Sequence, residues 1–188
     1  MHPHVAEERP ELFEAFNMGT TEMETLNWLH ATACLVKPEN ILETGAANGI
    51  GTLALASACR DNGFGKVHSV EINPELCEKL IELLQRHRLS EYAEVHCESS
   101  LDYLEKTETI FDMAFFDSIC EIRAEEYGIC CRRGILRGPA VFHDTSRHRC
   151  LSYTGEPSGE VHAAYRNKLK THAQAPNVSG SFEHVLSR

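Results

Sequence analysis

The sequence predicts a doubly wound α/β domain built on a mostly parallel sheet. Three observations carry this expectation. Short apolar runs alternate with helical stretches along most of the 188 residues. One of these runs, "FDMAFFD" at 111–117, is almost continuously apolar, as suits a central strand buried on both faces. A glycine-rich turn, "ETGAANGIG" at 43–51, follows the first run and opens a helix, an arrangement that brings backbone close to a ligand at the carboxyl ends of such a sheet.

The elements follow in order. Two helices are expected first, at 10–17 and 21–36; Thr20 or Thr21 can cap the second, with Glu24 three residues after Thr21 as in a capping box. Met23, Leu26, Leu29, Ala33 and Val36 recur at helical spacing, and Pro38 ends the helix. "NILET" (40–44) reads as the first strand, with a helix over 51–61 that stops at Asn62-Gly63. "KVHSVEI" (66–72) is the second strand, followed by a helix at 74–88 with Pro74 in its first turn and Leu76, Leu80, Ile81, Leu83 and Leu84 on one face. "AEVHC" (93–97), a short helix at 100–106, the strand at 111–117, a helix near 121–133 and the strand "GPAVFHD" (138–144) complete the alternation. A helix at 159–173 and a strand at 181–187 are expected at the end.

No repeat, low-complexity tract or linker divides the chain, which reads as one domain: an N-terminal helical cap over 1–38 and a core over 39–188. A formal net charge of −10 argues against a broad phosphate-binding surface and hence against nucleic acid partners. No apolar run approaches the roughly 20 residues that span a bilayer, and the start has no signal pattern, so no membrane partner and a cytoplasmic location are expected. None of the eight cysteines forms a Cys-x-x-Cys pair, and most lie in apolar patterns; reduced, buried thiols are expected rather than a zinc site. The 11 histidines are scattered through the sequence.

In a doubly wound sheet the residues that end each strand are the ones to weigh. The first strand ends in Glu43, Thr44 and Gly45, with Ala46 and Gly49 next in the turn. The second ends in Glu71 and Ile72; an acid there, 20 residues after Gly51, can accept two hydrogen bonds from a ribose diol. Two cofactors contain that ribose, a nicotinamide dinucleotide and S-adenosylmethionine. Glu43 separates them by charge, since a carboxylate repels a pyrophosphate and suits a sulfonium and an ammonium. A short-chain dehydrogenase would also need lysine four positions after a tyrosine. Tyr92, Tyr103, Tyr127, Tyr153 and Tyr165 are followed there by His96, Thr107, Cys131, Pro157 and Leu169, so the dinucleotide reading fails.

With those residues in place, the sequence resembles class I S-adenosylmethionine-dependent methyltransferases, whose fold is Rossmann-like. Within them it resembles small-molecule O-methyltransferases related to catechol and caffeoyl-CoA O-methyltransferases, in a bacterial form with "FHDT" at the fifth strand. The resemblance runs through "NMGTTEMETL", "ILETGAANGIGTLALA", "KVHSVEINPELCEKL", "VHCESSLDYLE", "FDMAFFDS" and "GILRGPAVFHDT". It implies a cofactor site made by Thr20, Glu43, Thr44, Gly45, Ala46, Gly49, Glu71, Ile72, Ser99, Ser100 and Asp117, with Ser99 and Ser100 beside the adenine. It implies transfer of a methyl group to a hydroxyl, with His143, Asp144 and Asp117 as catalytic candidates and His148 as an outside one. Metal-dependent relatives hold Mg²⁺ on two aspartates and an asparagine. Asp117 and Asp144 match the aspartates, Thr145 replaces the asparagine, and Cys120 stands in place of the relatives' lysine, so the metal is an open expectation. The missing lysine and asparagine also motivate a different reading, a non-catalytic adenosine-binding protein. Relatives close the sheet with a pair of strands, and only "FEHVLSR" is left here, so a shortened strand pair or an edge covered in a homodimer is expected.

Overall fold

In the computed structural model the described residues are 21, 23–119 and 122–143. They form α1 (Met23–Val36), β1 (Asn40–Thr44), α2 (Ile50–Asn62), β2 (Lys66–Glu71), α3 (Pro74–Arg86), β3 (Ala93–Cys97), α4 (Ser100–Lys106), β4 (Met113–Phe116), α5 (Arg123–Arg133) and β5 (Ala140–Phe142). The five strands make one sheet in the order β3-β2-β1-β4-β5, and every pairing is parallel. Ile41 on β1 stands between Val67 on β2 and Met113 on β4. The chain moves outward from β1 to β3 and then returns to β4, so the switch point lies between β1 and β4.

Burial follows the strand order. All four residues of β4 are buried, as its apolar run predicts, whereas the edge strands β3 and β5 are only partly covered. One core lies under α1, α2 and α3 and includes Leu29, Ala33, Leu55, Leu80 and Phe115. The other lies under α4 and α5 and includes Leu42, Val70, Leu104, Phe116 and Ile129. Each fully buried aliphatic or aromatic side chain contributes about 1.5–3 kcal/mol, and the two layers together hold the sheet's carboxyl edge rigid.

Local chemistry sets the ends. Asn73 caps α3 by accepting from the Glu75 amide at 2.9 Å, and Pro74 takes the first helical position. That helix stops at Arg86, two residues before the expected end, because Arg88 takes a left-handed φ of 56°. β4 is shorter than 111–117: Asp112 turns its carboxylate onto the amides of Glu39 and Asn40, and Phe111 makes an isolated bridge to Leu136. On α1, Leu26, Leu29 and Ala33 are buried, but Met23 and Val36 of the expected face are exposed. The expected helices at 10–17 and 159–173, the strand at 181–187, Thr20, Asp144 and His148 lie outside the described residues. Among the described residues no helix is long and apolar enough to cross a membrane. The cysteines there are free thiols; burial pushes Cys59 up to about 11 and Cys77 and Cys130 up to about 12, which keeps them protonated and inert.

Candidate active site

The turn after β1 and the turn after β2 are joined by one carboxylate. Glu71 accepts from the Ala47 amide at 2.8 Å through Oε2 and from the Asn73 amide at 2.9 Å through Oε1. Each oxygen keeps a further lone pair, enough for a diol. Ile72 beside it is exposed, an apolar surface at the mouth of the sheet. The amides of Gly45 and Ala46 both donate to the Val70 carbonyl, at 2.9 and 3.3 Å. Gly45 has φ of 75°, and a Cβ there would stand 2.6 Å from Ser118 Cα, so this turn lies flat against the one after β4. Gly45→Ala is expected to destabilise the fold by about 2–4 kcal/mol, combining left-handed strain with forced backbone movement. Equilibrium urea unfolding measures it.

Across the switch point sits a polar cluster. The Asp117 carboxylate accepts from Thr21 Oγ1 at 3.1 Å, from Arg123 Nη2 at 3.2 Å and from His143 Nδ1 at 2.8 Å. Arg123 is 4% exposed, on the first turn of α5. It also donates to the Ser118 carbonyl at 2.6 Å and to the His143 carbonyl. One guanidinium therefore joins the ends of β4 and β5, using the spread of its five donors. Asp117 fixes the His143 tautomer: with Nδ1 donating, the imidazole's basic lone pair is on Nε2.

Beneath these groups lie two buried glutamates, one on each face of the sheet. Glu43 is 1% exposed and accepts from Thr52 Oγ1 at 2.5 Å and Ser69 Oγ at 2.7 Å. Its other oxygen lies where a Cβ on residue 51 would stand, which is why Gly51 is needed. Burial raises its pKa to about 7 against the two hydroxyl bonds, which lower it. Glu126, fully buried on α5, accepts from Ser100 Oγ at 2.5 Å, Ser118 Oγ at 2.8 Å and Thr44 Oγ1 at 3.0 Å. Burial raises its pKa as well. The two acids cross-link the strand ends to α2, α4 and α5.

The raised pKa of Glu43 fixes the sign of a pH effect. The folded state holds the proton that the unfolded state releases near 4.5, so this group's stabilising contribution is present below about 4.5 and is lost as pH rises to about 7. Glu43→Gln is expected to remove that loss, which is at most about 3 kcal/mol. Unfolding at pH 5 and pH 8 measures it: the variant should show a smaller drop between the two than the natural protein.

The structure brings Gly45, Ala46, Gly49, Glu71, Ile72, Asp117 and His143 to the carboxyl end of the sheet, with Ser99 at the start of α4. Three other expected site residues have side chains bonded within the fold. Glu43 lies buried under α2, its carboxylate held by Thr52 and Ser69. Thr44 and Ser100 donate their hydroxyls to Glu126. Thr21, Ser118, Arg123 and Glu126 are site residues that the sequence reading missed. Asp117 is a poor fit for a hard cation: its Oδ1 already faces a buried guanidinium, and a divalent ion there would add a second cation to the same oxygen.

A parallel sheet with this switch point, a glycine turn after β1 and an acid closing β2 defines an adenosine-binding α/β domain. The family model described as "Methyltransferase domain" matches residues 42–145, more than half of the chain, and the chain belongs to that family. No curated protein is significantly similar in sequence. Among solved structures, the chain is similar to the SAH-bound methyltransferase PaMTH1 of Podospora anserina, at 18% identity and TM-score 0.68, over 88% of this chain and 71% of that one. It is similar also to the O-methyltransferase TomG of Streptomyces achromogenes in complex with SAM, at 20% identity and TM-score 0.66, over 90% and 73% of the two chains. An O-methyltransferase from Bacillus cereus in complex with SAH matches at 19% identity and TM-score 0.67, over 90% and 79%. At these identities the likeness establishes the fold.

Proposed function

We propose that the protein is an S-adenosylmethionine-dependent methyltransferase that methylates a hydroxyl group of a small molecule, with His143 as general base and without a metal ion in the reaction. The observation that carries this reading is the 2.8 Å pair between His143 Nδ1 and Asp117 at the switch point. It orients a base where the fold receives its ligand. Two of the similar structures named above are O-methyltransferases in complex with SAM or SAH, which supports the choice of donor and acceptor atom.

Glu71 would bind the ribose diol, the backbone of the Gly45–Gly49 turn would face the cofactor's methionine end, and Ile72 and Ser99 would flank the adenine. Glu43, Thr44 and Ser100 act on the ligand only through the turns that they hold in place. When bound, S-adenosylmethionine supplies an electrophilic methyl on sulfur. His143 Nε2 would take the acceptor's hydroxyl proton, with the cofactor's carbon–sulfur bond breaking as the carbon–oxygen bond forms, to give a methyl ether and S-adenosylhomocysteine. The buried Arg123 supplies, at Asp117, the positive charge that metal-dependent relatives draw from an ion.

Turnover with a panel of catechol, phenol and alcohol acceptors, read as S-adenosylhomocysteine formed, tests the proposal. The expected result is product with at least one hydroxyl acceptor, at a rate that EDTA changes by less than about twofold. A rate abolished by EDTA and restored by Mg²⁺ would overturn metal independence. Transfer to amine acceptors alone would overturn the acceptor class.

A further inference from the structure

On the sheet face covered by α4 and α5, His68 of β2 converges with Glu94 and His96, two positions apart on β3. β2 and β3 pair in parallel with Glu94 opposite His68 and His96 opposite Val70, so His68, Glu94 and His96 all project to one face. His68 Nδ1 lies 3.3 Å from His96 Nε2, and Glu94 Oε1 lies 4.0 Å from His96 Nε2. The three ligand atoms fall within 4.8 Å of one another. His68 stands about 10 Å back along β2 from Glu71 and on the opposite face, away from the cofactor cleft.

We infer that His68, His96 and Glu94 form a binding site for a zinc-like divalent transition metal ion that staples the edge strand β3 to β2. Two nitrogens each about 2.0–2.1 Å from a tetrahedral zinc stand about 3.3–3.4 Å apart, which is the spacing found here. The rings lie within 10° of parallel, with centroids 5.5 Å apart, so the facing nitrogens meet nearly edge on. The two nitrogens share a hydrogen bond, and an ion would lie off the line between them on the Glu94 side once the His96 ring rotates. His96, with its side chain 18% exposed, would turn to meet it, and the exposed Glu94 would close the remaining distance.

The supporting groups are those of an oriented site. His68 Nε2 lies 3.2 Å from Asn40 Oδ1, an acceptor that places the proton on Nε2 and the lone pair on Nδ1. Phe111 packs edge-on against His68, at 5.6 Å between ring centroids, and Tyr103 lies 4.4 Å from the His96 ring. Burial lowers the pKa of both imidazoles, that of His68 to about 4 with further help from His96, so both rings are neutral at neutral pH. With the His68 proton on Nε2, His96 Nε2–H donates to His68 Nδ1, and an ion requires that His96 proton to move to its Nδ1. Two imidazoles and one carboxylate leave a fourth position for water, a donor set that suits zinc better than magnesium or calcium.

The test is calorimetric titration of the EDTA-stripped, dialysed full chain with ZnCl₂, with thermal unfolding followed in parallel. Expected are one ion per chain, a raised unfolding temperature, and at least ~10-fold weaker binding in His96→Ala and in Glu94→Gln. Glu94 is exposed and His96 lies on the edge strand with its side chain 18% exposed, so both substitutions remove less packing than His68→Ala, and unfolding of the zinc-free variants checks that each is folded. Because the site lies outside the catalytic cluster, methyl transfer by these two variants stays within about twofold of the natural rate, which separates this staple from the function proposed above. The inference is overturned if the natural chain binds no stoichiometric zinc, or if both variants bind it equally well. It is overturned too if a cobalt(II) derivative shows thiolate-to-metal charge transfer, which would place the ion on cysteines.

Discussion

His143→Ala is expected to keep the affinity for S-adenosylmethionine and to lower kcat by at least ~100-fold, the usual contribution of a positioned general base. The expectation follows from the geometry at the switch point. Asp117 accepts from Nδ1 at 2.8 Å and so presents Nε2 as the basic atom. The ring stands edge-on to Phe115, with 6.0 Å between centroids, against the floor of the sheet. The split between kcat and binding is the diagnostic: a base acts only on the chemical step, whereas a residue that merely shapes the cleft would change both. Steady-state kinetics beside equilibrium binding of S-adenosylmethionine measures the two separately. A loss below ~10-fold in kcat would assign the proton transfer to another group.

Arg123→Met is expected to cost about 3–5 kcal/mol of folding stability, the range for breaking a buried ion pair by removing one partner. Its guanidinium holds the Asp117 carboxylate and the backbone carbonyls of Ser118 and His143. Truncation removes the guanidinium from both carbonyls and from Asp117, which keeps the Thr21 hydroxyl and His143, in a site where Arg123 itself is 4% exposed. Against a total stability of about 5–15 kcal/mol for an ordinary domain, that loss is large. Arg123→Lys is expected to recover little, because one ammonium cannot reach three acceptors spread over two strand ends. Chemical denaturation of the two variants provides the check, and a loss under ~1 kcal/mol in Arg123→Met would mean that the guanidinium does not hold the site together.

The legible parts of the molecule were those that a local pattern announces. β4 shows itself by an unbroken apolar run, α3 by Pro74 and its apolar positions, and Glu71 and Asp117 by standing at the ends of strands beside the glycine turn. What stayed hidden depends on facing and register. Successive strand residues point to opposite faces, so Glu43 and Thr44, adjacent and both polar, go to different cages: Glu43 to Thr52 under α2, Thr44 to Glu126 under α5. Neither destination can be read before the sheet is assembled. Arg123 and Glu126 sit in "EIRAEEYGICCRR", a stretch whose charges resemble a solvated helix face, yet both are buried because hydroxyls and carbonyls from three other elements satisfy them. The convergence of His68 with His96 is likewise a product of the parallel register of β2 on β3, which no spacing of 28 residues announces.

The most direct measurement of the central claim is calorimetric titration of the protein with S-adenosylmethionine, S-adenosylhomocysteine and NADPH, repeated with Glu71→Ala. Hydrogen bonds to a charged partner contribute about 1.5–3 kcal/mol each, so losing the carboxylate that receives the ribose should weaken binding by at least ~10-fold. The account predicts micromolar binding of the two sulfur nucleotides, none of NADPH, and that loss in the variant. Binding of NADPH alone would contradict it and return the glycine turn to a dinucleotide.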